Sequence, residues 1–361
     1  MLSETSGDFL TLHELVKGAR ERLPNNIWNY LIGAADTETT MRRNRLAIDS
    51  LAFRPRVLRD MSGIDVSGRF LGKPLRIPVA LAPVGSLESF DPAGGAAVVR
   101  AARDFGVPMF LSSVSKPGLE ATAAAAPDGR RIFQLYVRGD DAFVDDHAKR
   151  AIAAGYDAFC LTVDTAIYSR RERDIAIRFA KPWRRDVTGT DYQAALSWTQ
   201  VKRFKDKYDI PLILKGIATA EDAAIALEHG VESIYVSNHG GRQLDHGRGA
   251  LDVLPEIVAA VQGKASIIID GGFCRGTDII KAVALGADLV AVGRLYLYGL
   301  GAAGQAGVTR VLELLETEIR ISMGLLGASG FAALDKSYLH PAPPVREAHI
   351  HSAFPLIAEG Y

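Results

Sequence analysis

From residue 77 onward the chain repeats one pattern. A short apolar run is followed by a polar or glycine-rich stretch, then by an Ala-rich segment with apolar positions at helical spacing. The apolar runs are Pro78–Ala82, Met109–Ser112, Ile132–Val137, Ala158–Val163, Leu212–Lys215, Ser233–Ser237, Ser266–Asp270 and Leu289–Val292. The helical stretches lie near Ala93–Phe105, Gly118–Ala126, Ala142–Ala154, Ala220–His229, Val253–Val261, Gly276–Leu285 and Gly304–Met323. Strands that are apolar throughout, with no alternation, are buried on both faces, as in a parallel sheet. Eight such units predict an α/β fold, a (β/α)8 TIM barrel rather than an open doubly wound sheet.

The chain before residue 77 reads differently. Residues 8–60 carry a helical rhythm, with Thr11 capping Leu12–Leu23 and Pro24 opening Asn25–Ala35. A single domain is expected: an N-terminal helical segment (1–76), a barrel (77–330) and a tail (331–361) that wraps the surface around Pro341, Pro343 and Pro344. One unit breaks the rhythm. About fifty residues, Asp164–Pro211, separate the fourth and fifth strands, a length typical of a functional loop or lid.

Composition removes several classes of function. Of 361 residues, 42 are Lys or Arg and 42 are Asp or Glu, so no basic excess points to nucleic acid and no charge run to an anionic membrane. No apolar run reaches spanning length, and the polar start lacks the pattern of a signal peptide. Cys160 and Cys274 sit in or beside apolar runs and are expected as buried free thiols in a reducing, cytoplasmic setting.

In a barrel of this kind, chemistry sits at the carboxyl ends of the strands. Those ends carry Ser112, Gln134 and Tyr136, Thr162 and Asp164, Lys215, Ser237 and His239, Asp270 with Gly271-Gly272, and Gly293-Arg294. A face built only for stability has no use for so many polar groups at one mouth. His239 can take a proton near neutral pH, and Asp164 can hold the resulting imidazolium. Arg242, three residues beyond His239, can grip a carboxylate or phosphate with two parallel hydrogen bonds, and Arg171 in the long fourth loop can join it. Gly271-Gly272 and Gly293-Arg294 follow strands seven and eight, where barrels often hold a phosphate; Arg275 and Arg294 can add charge there. Lys215 is either a Schiff-base former or a stabiliser of an anion on a cofactor.

Two patterns are set aside. Gly299-Leu-Gly-Ala-Ala-Gly304 has the spacing of a dinucleotide fingerprint, but no strand follows to complete a βαβ unit. His340, His349 and His351 lie in the Pro-rich tail with no carboxylate or Cys beside them, so a surface tail is expected and no metal site.

Six motifs occur in order on these units: Phe133-Gln-Leu-Tyr-Val137, Leu161-Thr-Val-Asp-Thr165, Leu214-Lys-Gly216, Ser237-Asn-His-Gly-Gly-Arg-Gln-Leu-Asp245, Asp270-Gly-Gly272 and Gly293-Arg294. Over roughly residues 10–330 the chain thereby resembles the FMN-dependent α-hydroxy-acid oxidase and dehydrogenase family, to which glycolate oxidase, lactate oxidase and mandelate dehydrogenase belong. The resemblance implies FMN as cofactor and oxidation of an L-2-hydroxy acid to the 2-keto acid. It implies His239 as base, Asp164 as its partner and Tyr136 as the group that bonds the substrate hydroxyl. Tyr30, Arg171 and Arg242 would bind the substrate carboxylate. Lys215 would stand near flavin N1, with Ser112, Gln134, Thr162 and Ser237 around the flavin and Asp270, Gly271, Gly272, Arg275, Gly293 and Arg294 completing the cofactor site. The implied partners are a small hydroxy acid and an electron acceptor, either oxygen or a quinone or cytochrome, in a homotetramer.

The chain departs from the family at several points. Asp91-Pro-Ala-Gly-Gly95 stands where the family has His-Pro-x-Gly-Glu, and Cys274 stands where an arginine is expected near the FMN phosphate. The fourth loop is shorter than in glycolate oxidase. Gly85 stands where the short-chain enzymes carry alanine, and Val114 where glycolate oxidase has tryptophan, so a branched or aromatic substrate side chain is expected. Two other readings remain: a tailoring oxidase for a larger amine- or peptide-derived intermediate, and a flavin-binding paralogue without turnover.

Overall fold

The computed structural model describes residues 9–179 and 188–360. Three helices lead the chain: α1 (Leu12–Arg22), α2 (Asn25–Ile32) and α3 (Thr39–Asp49). Thr11 opens α1 through a capping box, accepting from the Glu14 N–H (3.4 Å) while the Glu14 carboxylate accepts from the Thr11 N–H (3.0 Å). The helical rhythm expected to run to residue 60 stops at Asp49. The next residues, β1 (Leu51–Phe53), pair antiparallel with Leu339–Pro341 of the tail. The hairpin β2 (Gly68–Phe70) and β3 (Lys73–Leu75) follows.

Eight strands then form the barrel: β4 (Val79–Leu81), β5 (Met109–Ser112), β6 (Arg131–Leu135), β7 (Ala158–Thr162), β8 (Leu212–Ile217), β9 (Ser233–Val236), β10 (Ser266–Ile269) and β11 (Leu289–Val292). They pair in parallel in chain order, and β11 pairs back to β4, closing the barrel. The TIM-barrel expectation is thus met. Alternation along each strand sorts the side chains. Phe110, Ile132, Cys160, Ile213, Tyr235, Ile268 and Ala291 belong to a cluster inside the barrel. Their neighbours Leu111, Phe133, Leu161, Leu214, Ile234, Ile269 and Val292 pack outward into the main core with the helices. Phe70 and Leu75 join the inner cluster, so the β2–β3 hairpin plugs the amino-terminal end of the barrel. The carboxyl end is left for chemistry.

The helices between the strands are α4 (Gly95–Phe105), α5 (Leu119–Ala125), α6 (Asp141–Ala153), α7 (Glu172–Ala176), α8 (Thr190–Ala194), α9 (Trp198–Lys207), α10 (Ala220–Glu228), α11 (Ala250–Val261) and α12 (Gly276–Ala284). The long fourth connection therefore carries α7, α8 and α9, where the sequence suggests an irregular loop. The last helical stretch, α13 (Arg294–Leu326), starts ten residues before the expected Gly304 and is broken at Ala303 and Gly304. The Gly299–Gly304 pattern lies inside it. Gly299 and Gly307 are glycines because a Cβ on either would collide with the other's carbonyl, so this spacing serves close backbone packing. Among the described residues no helix is long and apolar enough to cross a membrane.

Candidate active site

In six of the eight strands the inward row ends in a polar residue two positions beyond an apolar one. Phe110 leads to Ser112, Ile132 to Gln134, Cys160 to Thr162, Ile213 to Lys215, Tyr235 to Ser237 and Ile268 to Asp270. The same alternation that fills the barrel therefore gathers these groups around its axis. A cavity of about 630 Å³ opens there, lined by Tyr30, Gly85, Tyr136, Arg171, Lys215, His239, Arg242, Asp270–Gly272, Gly293 and Arg294 among others.

His239 stands on the turn after β9 with φ +59°, a conformation that aims the ring across the mouth. Its Nδ1 meets Asp164 Oδ1 at 3.0 Å and Oδ2 at 3.2 Å, and its Nε2 meets Tyr136 Oη at 3.1 Å. A proton on Nδ1 donated to Asp164 leaves Nε2 as the acceptor from Tyr136. Gly216, at φ +113°, makes room for this: a Cβ there would lie 2.6 Å from Asp164 Cβ. Burial pushes the Asp164 carboxyl up, but His239 and Lys215 outweigh it and hold the group below its ordinary value. Burial also pushes the His239 imidazole down, and the pull of Asp164 does not fully restore it. The base is therefore neutral, and competent, at neutral pH, and loses competence only as pH falls through that depressed value. Asp164→Asn removes the negative charge that raises the imidazole, so the acid limb of the pH–rate profile should move to lower pH while the plateau rate falls. A limb that stays in place or moves up would overturn this pairing.

Beside the relay, Ser237 Oγ accepts from Lys215 Nζ (2.8 Å) and from the His239 N–H (3.0 Å) and donates to Asp270 Oδ1 (2.6 Å). Lys215 is 3% exposed, yet Asp270 and Asp164 outweigh desolvation and keep it an ammonium. A permanent ammonium is a poor Schiff-base former and a good partner for an anion. Gln134 Nε2 donates to Thr162 Oγ1 (2.8 Å), while its Oε1 is buried with no partner among the described residues. Whichever way that amide is turned, one polar atom awaits a bound group.

Arg171 and Arg242 approach from different elements. Arg171 precedes α7, stacks over the Tyr168 ring (4.6 Å) and donates through Nε to Arg242 O (3.3 Å). Arg242 lies over the Tyr30 ring (4.7 Å), and its Nη1 donates to Tyr30 O (2.9 Å) and Gly33 O (2.5 Å). Burial, Arg171 and Arg294 bring Arg242 down to about 10. Among the described residues neither arginine has a carboxylate partner; all three hydrogen bonds are to backbone oxygens.

At the other end of the cavity, Gly271 and Gly272 hold φ +110° and +87° against Asn44. Helix α13 begins at Arg294, so its first N–H groups face the same space. The Arg294 guanidinium itself is engaged by Leu31 O (3.1 Å), Gly240 O (2.9 Å) and Gly33 O (2.8 Å). It ties α2 to the His239 turn. The expectation that Arg275 adds charge here needs correction. Arg275 precedes α12, pairs with Glu318 (2.5 Å) and donates to Ala353 O (3.2 Å), outside the cavity lining. Cys274 does line the cavity, with its thiol pushed by burial up to about 12 and so uncharged.

The structure also brings in residues that the sequence reading missed. Asn44 and Arg45 of α3 line the cavity; Arg45 is 4% exposed, pairs with Asp278 (2.7 Å) and donates to Gly272 O (3.1 Å). The signal was available, since two polar residues sit on a helix face that must pack on the barrel. Gln193 of α8 donates to Thr162 O (2.9 Å) and accepts from the Val137 N–H (2.7 Å), pinning the fourth connection to the mouth. His349 and Ile350 of the tail also line the cavity, so the tail does more than wrap the surface.

Residues 19–341 match the family model described as FMN-dependent dehydrogenase. An L-lactate oxidase from Nostoc sp. is 38% identical over 92% of this chain and 98% of its own length. A 4-hydroxymandelate oxidase from Amycolatopsis orientalis is 40% identical over 90% of this chain and 96% of its own. A structure of a mandelate oxidase tyrosine-to-phenylalanine variant with (S)-mandelic acid, 40% identical, superposes with a TM-score of 0.86 over 94% of this chain and 100% of that one. A barrel of this topology, matched over most of its length, places the chain in the FMN-dependent dehydrogenase family, with FMN as its cofactor.

Proposed function

We propose that the protein oxidises a 2-hydroxy acid to the 2-keto acid with FMN, preferring acids with a branched or aromatic side chain. One observation carries the reaction class: buried Arg171 and half-buried Arg242, neither with a carboxylate partner among the described residues, share one cavity with the Tyr136–His239–Asp164 relay. Such a pair is complete only with an anion bound. The cavity fits FMN. The unmet amide atom of Gln134 and the Lys215 ammonium suit the polar edge of the flavin ring, and the Gly271–Gly272 and Gly293–Arg294 turns suit its phosphate.

When bound, FMN would take up the hydrogen and the two electrons that the α-carbon gives up. The protein's own groups do the rest. Arg171 and Arg242 hold the carboxylate, with Tyr30 beside them. The substrate hydroxyl enters between Tyr136 Oη and His239 Nε2, where the imidazole accepts its proton. Asp164 at Nδ1 stabilises the imidazolium that forms.

The side-chain preference rests on the wall made by Gly85, Val84, Val114 and Phe90. Ser115 Oγ donates to Val84 O (2.7 Å) and the Ser86 N–H to Val114 O (3.0 Å), so the two loops that set this wall are tied together. Small residues at 85 and 114 leave room for an added apolar group, worth about 0.8 kcal/mol per buried methylene. The relatives named for 4-hydroxymandelate and mandelate support this choice. The expected order of kcat/KM is phenyllactate and mandelate above lactate, and lactate above glycolate. Gly85→Ala should lower the larger acids most. Preference for glycolate over every larger acid would end this reading. The two curated relatives are named oxidases, which supports oxygen as acceptor; rapid reoxidation of the reduced protein in air checks it.

A further inference from the structure

The family match ends at residue 341, yet the chain beyond it returns to the cavity. His349 and Ile350 line the same space as Gly271, Gly272, Cys274 and Arg294. The segment is pinned on both sides of that point. Before it, Arg42 Nη1 pairs with Glu347 (2.9 Å). After it, His351 Nε2 meets Tyr298 Oη (3.3 Å), one turn beyond Arg294, and its ring lies 5.7 Å from that of Trp28. Arg275 then donates to Ala353 O, and Phe354, 1% exposed, packs on His13 and Tyr298. Such a buried anchor holds the loop in place.

Within this loop, His349 Nδ1 accepts from the His351 N–H (3.2 Å). A neutral imidazole with Nδ1 engaged as acceptor carries its proton on Nε2, which makes Nε2 a donor. Among the described residues no protein acceptor meets that Nε2. The lining of the same cavity includes the Gly271–Gly272 turn and the start of a long helix, and Cys274 adds no charge there.

We propose that residues 342–358 form a strap that closes the phosphate end of the cofactor site, with His349 donating a hydrogen bond to the phosphomonoester. This rests on the phosphate lying at Gly271–Gly272 and Gly293–Arg294. The strap then serves two purposes: it adds a donor, and it covers the exit through which the cofactor leaves.

The test separates the phosphate from the ring. Apoprotein prepared from the holoenzyme is titrated with FMN and with riboflavin, which lacks the phosphate, following the quenching of flavin fluorescence. His349→Ala should weaken FMN about 10-fold, the order expected for one hydrogen bond to a charged group, and leave riboflavin unchanged. His349→Gln keeps an N–H donor and should recover most of the FMN affinity. Ending the chain after Pro344 should speed FMN release from the holoenzyme beyond the effect of His349→Ala. An unchanged ratio of FMN to riboflavin affinity in His349→Ala would overturn the role of this histidine, whether both affinities fall or neither does. Equal binding of both flavins by the unaltered protein would instead overturn the phosphate placement itself, and the strap with it.

Discussion

Replacing His239 by alanine is expected to slow substrate-driven bleaching of the flavin by about 10³-fold while the flavin stays bound. His239 Nε2 is the acceptor nearest the place where a substrate hydroxyl meets Tyr136 Oη, and Nδ1 is already committed to Asp164. Lys215 is held as an ammonium by Asp270 and Asp164 and has no lone pair to offer. A base acts in the transition state, so its loss should appear in the rate of anaerobic reduction and leave cofactor content untouched. The check is anaerobic stopped-flow absorbance together with the flavin-to-protein ratio. A variant that bleaches within a few-fold of the unaltered protein would remove His239 from the chemistry. Loss of flavin in place of loss of rate would make it a structural residue.

Arg242→Lys should lower kcat/KM by a factor of roughly 10–150, equivalent to about 1.5–3 kcal/mol, although the formal charge is kept. The reason lies in the fork. Arg242 spends Nη1 on Tyr30 O and Gly33 O, while among the described residues its Nε and Nη2 donate to no protein acceptor. One edge of the guanidinium therefore orders the end of α2, and the other edge can take a carboxylate through two parallel bonds. A lysine ammonium cannot do both. The neighbouring Arg171 raises the stakes, since burial and Arg171 together already depress Arg242. A bound carboxylate relieves that repulsion. Comparison of a hydroxy acid with its methyl ester gives the independent check: the ester should react poorly with the unaltered protein, and the gap should narrow in Arg242→Lys. Equal activity on acid and ester would rule out a carboxylate clamp.

Much of this was legible along the chain because the barrel is built from local repeats. Continuous apolar runs identified the strands within a residue or two, since a strand buried on both faces tolerates nothing else. The residues at their ends were legible for the same reason. Two positions past Ile213 the inward row reaches Lys215, and two past Tyr235 it reaches Ser237, so strand parity alone aims them at one axis. The relay of His239, Asp164 and Tyr136 follows from three such strand ends meeting at a mouth a few ångströms across. Helix boundaries were less legible. The last helical stretch is expected only from Gly304, since Gly299 and Gly301 weaken helix propensity, while their packing against α13 itself and the end of α1 favours a start at Arg294.

What tertiary structure alone decided was the contribution of distant segments. Cys274 and Arg275 are adjacent in sequence, yet only Cys274 lines the cavity; Arg275 is drawn outward by Glu318 and by the tail. Arg45 reaches Gly272 from the other end of the chain because α3 packs across the barrel mouth and Asp278 holds its charge there. His349 reaches the cavity because Phe354 packs beside Tyr298. The sequence by itself determined the barrel and the groups carried on its own strands, whose direction is set by a period of two. The groups supplied by α3, the fourth connection and the tail were decided by packing between elements tens to hundreds of residues apart, and no local periodicity encodes such contacts.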